Sequence, residues 1–216
     1  MLRVITPATT TRLTTADAVR EQFAIPASVL DATLEAWIDR VSAQIVSYCG
    51  RKFATELVRE KLHVDGRTTL YLARLPASSL TVTEEGVALA EHTDYHVDAE
   101  SGCITRLDGA DDVTTWADLV QLDYAAGYVL PGDESRTLPH DVEHAAILLA
   151  GSLYANETSA STGGGGSVVK AEDVEGLGRI EYFVSTTTTS SGNAQARLSH
   201  PTAEILLQPY RVAEFG

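Results

Sequence analysis

Apolar and polar residues alternate along Leu119–Ala125, where Val120, Leu122 and Tyr124 interleave with Gln121 and Asp123. This is the period of a strand with one buried face. Gly127 ends it, Pro131-Gly132 opens a polar loop, and from Pro139 the period lengthens. Val142, Ala146, Leu149 and Leu153 then recur at helical spacing, widened by Ala145, Leu148 and Ala150. That pattern predicts an amphipathic helix, with proline in the first turn where its missing N–H costs nothing.

The same reading covers the rest of the chain. Thr14 or Thr15 is placed to cap a short helix through Phe23, with Ala18, Val19 and Phe23 as its apolar side and Ile25-Pro26 as its break. Ser28 with Asp31 three residues on resembles a capping box. The helix it would open carries Leu30, Leu34, Trp37, Ile38, Val41, Ile45 and Cys49 in one stripe up to Gly50. Such a stripe needs a second helix to cover it, and the helix after Pro139 is the natural partner. Between the two, strands are expected at Glu56–Val64, Thr68–Leu72, Ser79–Glu84, Tyr95–Asp98, Cys103–Arg106 and Leu119–Ala125. Asp65-Gly66, Glu85-Gly86 and Ser101-Gly102 supply the turns.

After Asn156 the composition shifts to TSASTGGGGS, a flexible linker. Residues 168–184 then read as an extended arm or hairpin turning at Gly176-Leu177-Gly178, followed by a second linker, STTTTSSGN. A last short helix is expected from Pro201 to Leu207, running into Pro209-Tyr210-Arg211. The predicted fold class is α+β: a helical core of two long helices with shorter ones, a small antiparallel β-sheet inserted over about 53–125, and an extended C-terminal arm. Residues 1–158 make the core with its insertion, 159–167 a Gly/Ser linker, and 168–216 the arm and short helix. Apolar segments framed by linkers suit partners outside their own domain, so the arm and the terminal helix are expected to reach another molecule.

Composition is ordinary for a folded chain at 44% hydrophobic residues, but charge is not. Thirty acidic against sixteen basic residues give −14, which argues against gripping a nucleic-acid backbone through the bulk surface. An acidic wall is still compatible with lining a DNA passage, because repulsion keeps a moving polyanion off it. Cys49 and Cys103 read as free thiols in a reducing compartment rather than a disulfide framework. The opening MLRVITPATTTRLTT is too short in apolar residues for a signal peptide, and no run approaches the ~20 residues of a membrane span. A soluble, cytosolically made protein with no membrane partner is expected.

The sharpest catalytic candidate is His140-Asp141-Val142-Glu143-His144, an H-x-x-E-H string of one zinc-peptidase class. Two histidines four apart share a helix face, but zinc would need a third ligand and an activated water. The same string equally describes a solvated helix start or subunit contact, with acids favoured by the helix dipole. Gly163–Gly166 lacks the Lys-Ser/Thr of a phosphate loop and reads as linker. Asp111-Asp112 and Glu84-Glu85 read as solvated loop acids before metal ligands. Trp37 reads as core, and His63, His92, His96 and His200 do not converge. No catalytic, cofactor-binding or metal-ligating residue is assigned, and no cofactor.

Several phrases, in order, resemble the head–tail connector (adaptor) proteins of tailed bacteriophages, the HK97-type connector family also found in gene transfer agents. They are Ser47-Tyr48-Cys49-Gly50-Arg51-Lys52-Phe53, Leu75-Pro76-Ala77-Ser78-Ser79-Leu80-Thr81-Val82, and Asp94-Tyr95-His96-Val97-Asp98 with Gly102 and Arg106. Next come Leu122-Asp123-Tyr124-Ala125-Ala126-Gly127-Tyr128, Leu138-Pro139-His140-Asp141-Val142 and the ending Pro209-Tyr210-Arg211. The resemblance implies a structural virion protein and no enzyme. Copies would form a ring, dodecameric, beneath the portal protein at the neck between capsid and tail. The ring would extend the DNA channel, let double-stranded DNA pass without specific binding, and seat a stopper or tail-terminator protein. A stopper or tail-completion protein of the neck is the neighbouring alternative, and a zinc hydrolase using His140, Glu143 and His144 the distant one.

Overall fold

The computed structural model describes residues 1–64, 66–161, 171–174, 178–181 and 198–212. Ten strands and four helices lie among them. The strands are β1 (Leu2–Thr6), β2 (Glu56–His63), β3 (Thr69–Tyr71), β4 (Ala77–Glu84), β5 (Val87–Ala88), β6 (Tyr95–Asp98), β7 (Cys103–Arg106), β8 (Leu119–Ala126), β9 (Ala171–Val174) and β10 (Gly178–Glu181). The helices are α1 (Ala16–Phe23), α2 (Asp31–Cys49), α3 (His140–Ser161) and α4 (Pro201–Leu207), the last followed by a 3₁₀ turn at Gln208–Tyr210. The protein is mixed α+β with antiparallel sheets. None of these helices is long and apolar enough to cross a membrane.

Five strands form the larger sheet in the order β1-β2-β8-β4-β5. Its spine is β2 against β8, paired without interruption from Glu56↔Ala126 to His63↔Leu119. A strand buried on one face fixes its register, because a slip of one residue would expose every apolar side chain. Val58, Val82, Val120, Leu122 and Tyr124 accordingly face inward, against Leu70, Tyr95, Ile104 and Trp116 of the smaller β3-β7-β6 sheet and its loops. A second cluster is helical. Leu34, Ile38, Val41 and Ile45 of α2 share it with Val142, Ala145, Ala146 and Leu149 of α3, Val19 of α1 and Leu207 of α4.

The predicted strands and helices are present, with differences that have local causes. Ser28 does not cap α2. A turn closed by Val29 N–H donating to the Pro26 carbonyl holds it outside the helix, and Leu30 is the N-cap with no side-chain bond. Asp31 is taken by Arg20, whose guanidinium donates to its carboxylate at 2.5 Å and to the Pro26 and Val29 carbonyls. Leu30 is 70% exposed and leaves the stripe. For α1 the cap is Thr15, which accepts from Ala18 N–H at 3.2 Å.

Two strands were not expected. β1 brings the first residues onto β2, Leu2 opposite Glu60 and Val4 opposite Val58, and β5 is a two-residue edge on β4. The terminal helix also departs from expectation. α4 does not stand apart on its linker: it buries Ala203 and Leu207 in the helical core of its own chain and leaves Ile205 exposed. α3 continues to Ser161; the rest of the expected linker, 162–167, and the expected turn at Gly176-Leu177 lie outside the described residues. β9 and β10 pair with each other, Ala171↔Glu181 to Val174↔Gly178, and join neither larger sheet.

Candidate functional site

The H-x-x-E-H string begins α3. His140 and His144 are exposed, while Val142 is buried. Arg136, in the loop ahead, donates to His140 Nδ1 at 3.0 Å and pairs with Glu143 Oε2 at 2.7 Å. A guanidinium therefore engages two of the three zinc candidates. Among the described residues no three His, Cys, Asp or Glu side chains converge as a metal cage.

The other candidates are also committed locally. Glu84 accepts from Arg106 at 2.8 Å and from Ala117 N–H at 2.7 Å, while Glu85 accepts from Leu119 N–H. Asp111 and Asp112 lie in an exposed loop whose turn is organised by Asp108, which accepts from Ala110 and Asp112 N–H. Trp37 is core, its indole donating to Glu157 at 3.0 Å and so tying α2 to α3. His63 lies 3.5 Å from Asp118, His92 and His96 lie beside each other, and His200 is the N-cap of α4; the four do not meet. Gly163–Gly166 lies outside the described residues. Both cysteines are free, and burial pushes the Cys49 thiol up to about 11 against the opposing pull of Arg51 and Arg211.

What the fold does assemble is a cleft of about 500 Å³ at the joint between the helical and sheet clusters. Its walls are the end of α2 with Arg51-Lys52 after it, the loop before β4, the end of β8 with Gly127, and Val212. Gly127, at φ 116°, makes the joint possible, because a Cβ there would lie 2.4 Å from the Ala54 carbonyl oxygen. Its N–H donates to the Pro76 carbonyl, and Tyr128 N–H donates to Phe53 O at 2.6 Å. Arg51 donates to the Leu75 carbonyl and lies over the rings of Phe53 and Tyr128 at 5.6 and 6.0 Å.

Below the cleft, Glu56, 6% exposed, accepts from Lys52 at 2.8 and 3.1 Å and from Arg74 at 2.6 Å. Burial alone would raise its carboxyl; the two cations outweigh burial and hold it below the ordinary carboxylate range. Glu60, also buried, accepts from the Tyr124 hydroxyl and from Ala73 N–H, which straps the loop to the sheet. Burial, and then that carboxylate, push the Tyr124 phenol up. The chain's last described residues close the far side. Val212 N–H donates to the Cys49 carbonyl, capping α2, Arg211 lies 4.9 Å over the Tyr48 ring, and Tyr210 packs edge-on to Phe53.

Phrases far apart in sequence, Tyr48 to Phe53, Leu75-Pro76, Ala126 to Tyr128 and Pro209 to Arg211, thus converge on one place. The cleft itself was not foreseen. Its cations Arg51-Lys52 and Arg74 are visible as residues, but periodicity carries no information about which loops meet.

The geometry defines an α+β protein in which Arg51, Glu56, Glu60 and Arg74 hold loops at the joint of two cores. The chain belongs to the head completion protein family, whose model matches residues 12–189. In solved structures it is similar to a chain in the neck of an empty gene transfer agent particle computed with C6 symmetry, at 17% identity and TM-score 0.53, covering 99% of this chain and 96% of that one. It is similar also to a chain in the virion of a native gene transfer agent particle, at 15% identity and TM-score 0.54, with the same coverage. A chain from the neck of a native particle computed with C12 symmetry matches at 19% identity and TM-score 0.46, over 72% of this chain and 83% of that one. No curated protein sequence matches.

Proposed function

We propose that this chain is the head–tail connector, or adaptor, of a tailed-phage-like particle. Copies form a closed dodecameric ring at the virion neck, beneath the portal protein, and seat a stopper or tail-terminator protein below. The observation that carries the reading is membership of the head completion family across residues 12–189, a span that includes the cleft-forming loops and most of both cores. The likeness of nearly the whole fold to a neck chain supports it. A closed ring built head to tail needs two different complementary faces on each copy.

The ring lengthens the DNA channel and transforms no substrate. Arg136 holds His140 and Glu143 in the one string with catalytic precedent, which supports a structural role for that string. A net charge of −14 supports a wall that does not grip DNA. Electron cryomicroscopy of particles made with and without the chain tests the reading. Ring density at the neck that accommodates this fold, and DNA-filled heads without tails when the chain is missing, are the expected results. Tailed particles formed in its absence overturn the proposal.

A further inference from the structure

The outer face of the five-stranded sheet is a positive island in a chain of net −14. Val58 and Leu122 are buried, so Leu57, Arg59 and Lys61 of β2 and Asp123 of β8 turn to the other side. Arg3 of β1 joins them, directly opposite Arg59. Like charges opposed across two strands are destabilising. Asp123 accepts from Arg59 at 2.6 and 3.0 Å, one carboxylate on this face for the three cations Arg3, Arg59 and Lys61. Ile5, in the β1 bulge, and Leu57, at that end of the pairing, are exposed and belong to neither core, whereas the small sheet and its loops cover the opposite face. Cations around an exposed apolar pair fit an acidic protein surface with an apolar spot of its own.

The helical half presents such a surface. Thr10, Arg12, Thr14, Asp17, Asp31 and Glu35 line a recess of about 340 Å³ where the approach to α1 crosses the first turns of α2. Four carboxylates, Asp17, Asp31, Glu35 and Asp39, share two guanidiniums there: Arg12 pairs with Glu35 at 3.0 Å and Asp39 at 2.7 Å, and Arg20 pairs with Asp31. Thr14 is 1% exposed, and its hydroxyl has no hydrogen-bond partner among the described residues. The recess thus combines excess negative charge with a buried oxygen able to accept from an entering ammonium or guanidinium. Leu30, next to Asp31, supplies the exposed apolar spot.

We infer that the outer sheet face of one copy docks on the α1–α2 recess of the next, Arg3, Arg59 and Lys61 meeting the carboxylates and Ile5 and Leu57 meeting Leu30. The two surfaces are unlike and lie on different halves of the molecule, so their contact builds head to tail, as a closed ring requires. The inference deepens the ring reading above and rests on it. Passing DNA would answer the cations but leave Ile5 and Leu57 uncovered, so a second copy fits the face better.

The test uses the full chain with Cys103→Ser, carrying Leu57→Cys in one tagged copy and Leu30→Cys in another, which leaves every charge in place, oxidised in assembled particles. A disulfide between the two tags is the expected result. Neck rings that assemble without it overturn the inference and leave the ring standing, as does association that stops at a dimer while the neck ring persists. A neck with no ring of this chain overturns the ring reading, and the inference with it. In parallel, Arg3→Glu with Lys61→Glu should weaken self-association about tenfold or more by sedimentation velocity, and Asp17→Lys in that background should restore about threefold or more of the loss. Thermal unfolding of each variant separates lost docking from lost folding. Self-association unchanged by the reversal in a folded variant overturns the inference, and altered DNA retention with self-association intact overturns it in favour of DNA.

Discussion

Glu56 shows how much of this architecture one carboxylate can hold. It is nearly buried, and two cations from different segments converge on it, so removing its charge leaves Lys52 and Arg74 facing each other at the edge of a low-dielectric site. Both cations are partly exposed, so Glu56→Gln should cost about 1–2 kcal/mol of unfolding free energy, measured by urea denaturation at neutral pH. The pH dependence has a definite sign. A carboxyl held below its ordinary value of 4.5 stabilises the fold above that value and loses the contribution as pH falls through the lower, folded-state value. Wild-type stability should therefore drop on acidification below about 4.5, and Glu56→Gln should drop less over the same window. Equal slopes for the two proteins would show that the carboxylate does not carry the effect. At Gly127 the constraint is steric: Gly127→Ala must relieve both a positive φ and a backbone clash, so a loss of about 3 kcal/mol or more is expected.

Elements show what periodicity can and cannot read. β8 and α3 were legible because each repeats its own period over two or more turns or pleats, and burial follows that repeat residue by residue. β1 was illegible for the opposite reason: five residues at the start of a chain carry little period, and its strand character comes from pairing with β2. The Ser28 cap failed because a tertiary arrangement outcompeted a local motif, with Arg20 drawing Asp31 away from a capping role. The terminal helix was seen from its sequence, but its destination was not, since an apolar stripe does not say which surface it covers. Leu207 is fully buried among α2 and α3 residues, whereas Ile205 is 69% exposed. Leu207→Ala should cost about 3 kcal/mol, and Ile205→Ala less than about 0.5 kcal/mol, when thermal or urea unfolding is compared. A reversed ranking would mean that α4 docks by its other face.

At the scale of the whole molecule, α4 ties the end of the described chain back onto helices from its first and middle parts, because Ala203 and Leu207 share one core with α1, α2 and α3. The described members of both clusters lie outside residues 162–197, and α4, beyond that stretch, belongs to the helical one. Removing everything from residue 168 onward would therefore confuse two effects, because it strips Ala203 and Leu207 from the core along with the hairpin. Deleting only residues 168–196, with the glycine-rich linker kept to bridge α3 to α4, isolates the hairpin. Unfolding of this variant should remain cooperative, with a midpoint close to that of the full chain, since no described core contact is lost. Its ring assembly should be impaired, as read by light scattering and by occupancy of the particle neck. Loss of cooperative unfolding would assign the hairpin to the fold instead. A midpoint and a ring both unchanged would leave the segment with no part in either.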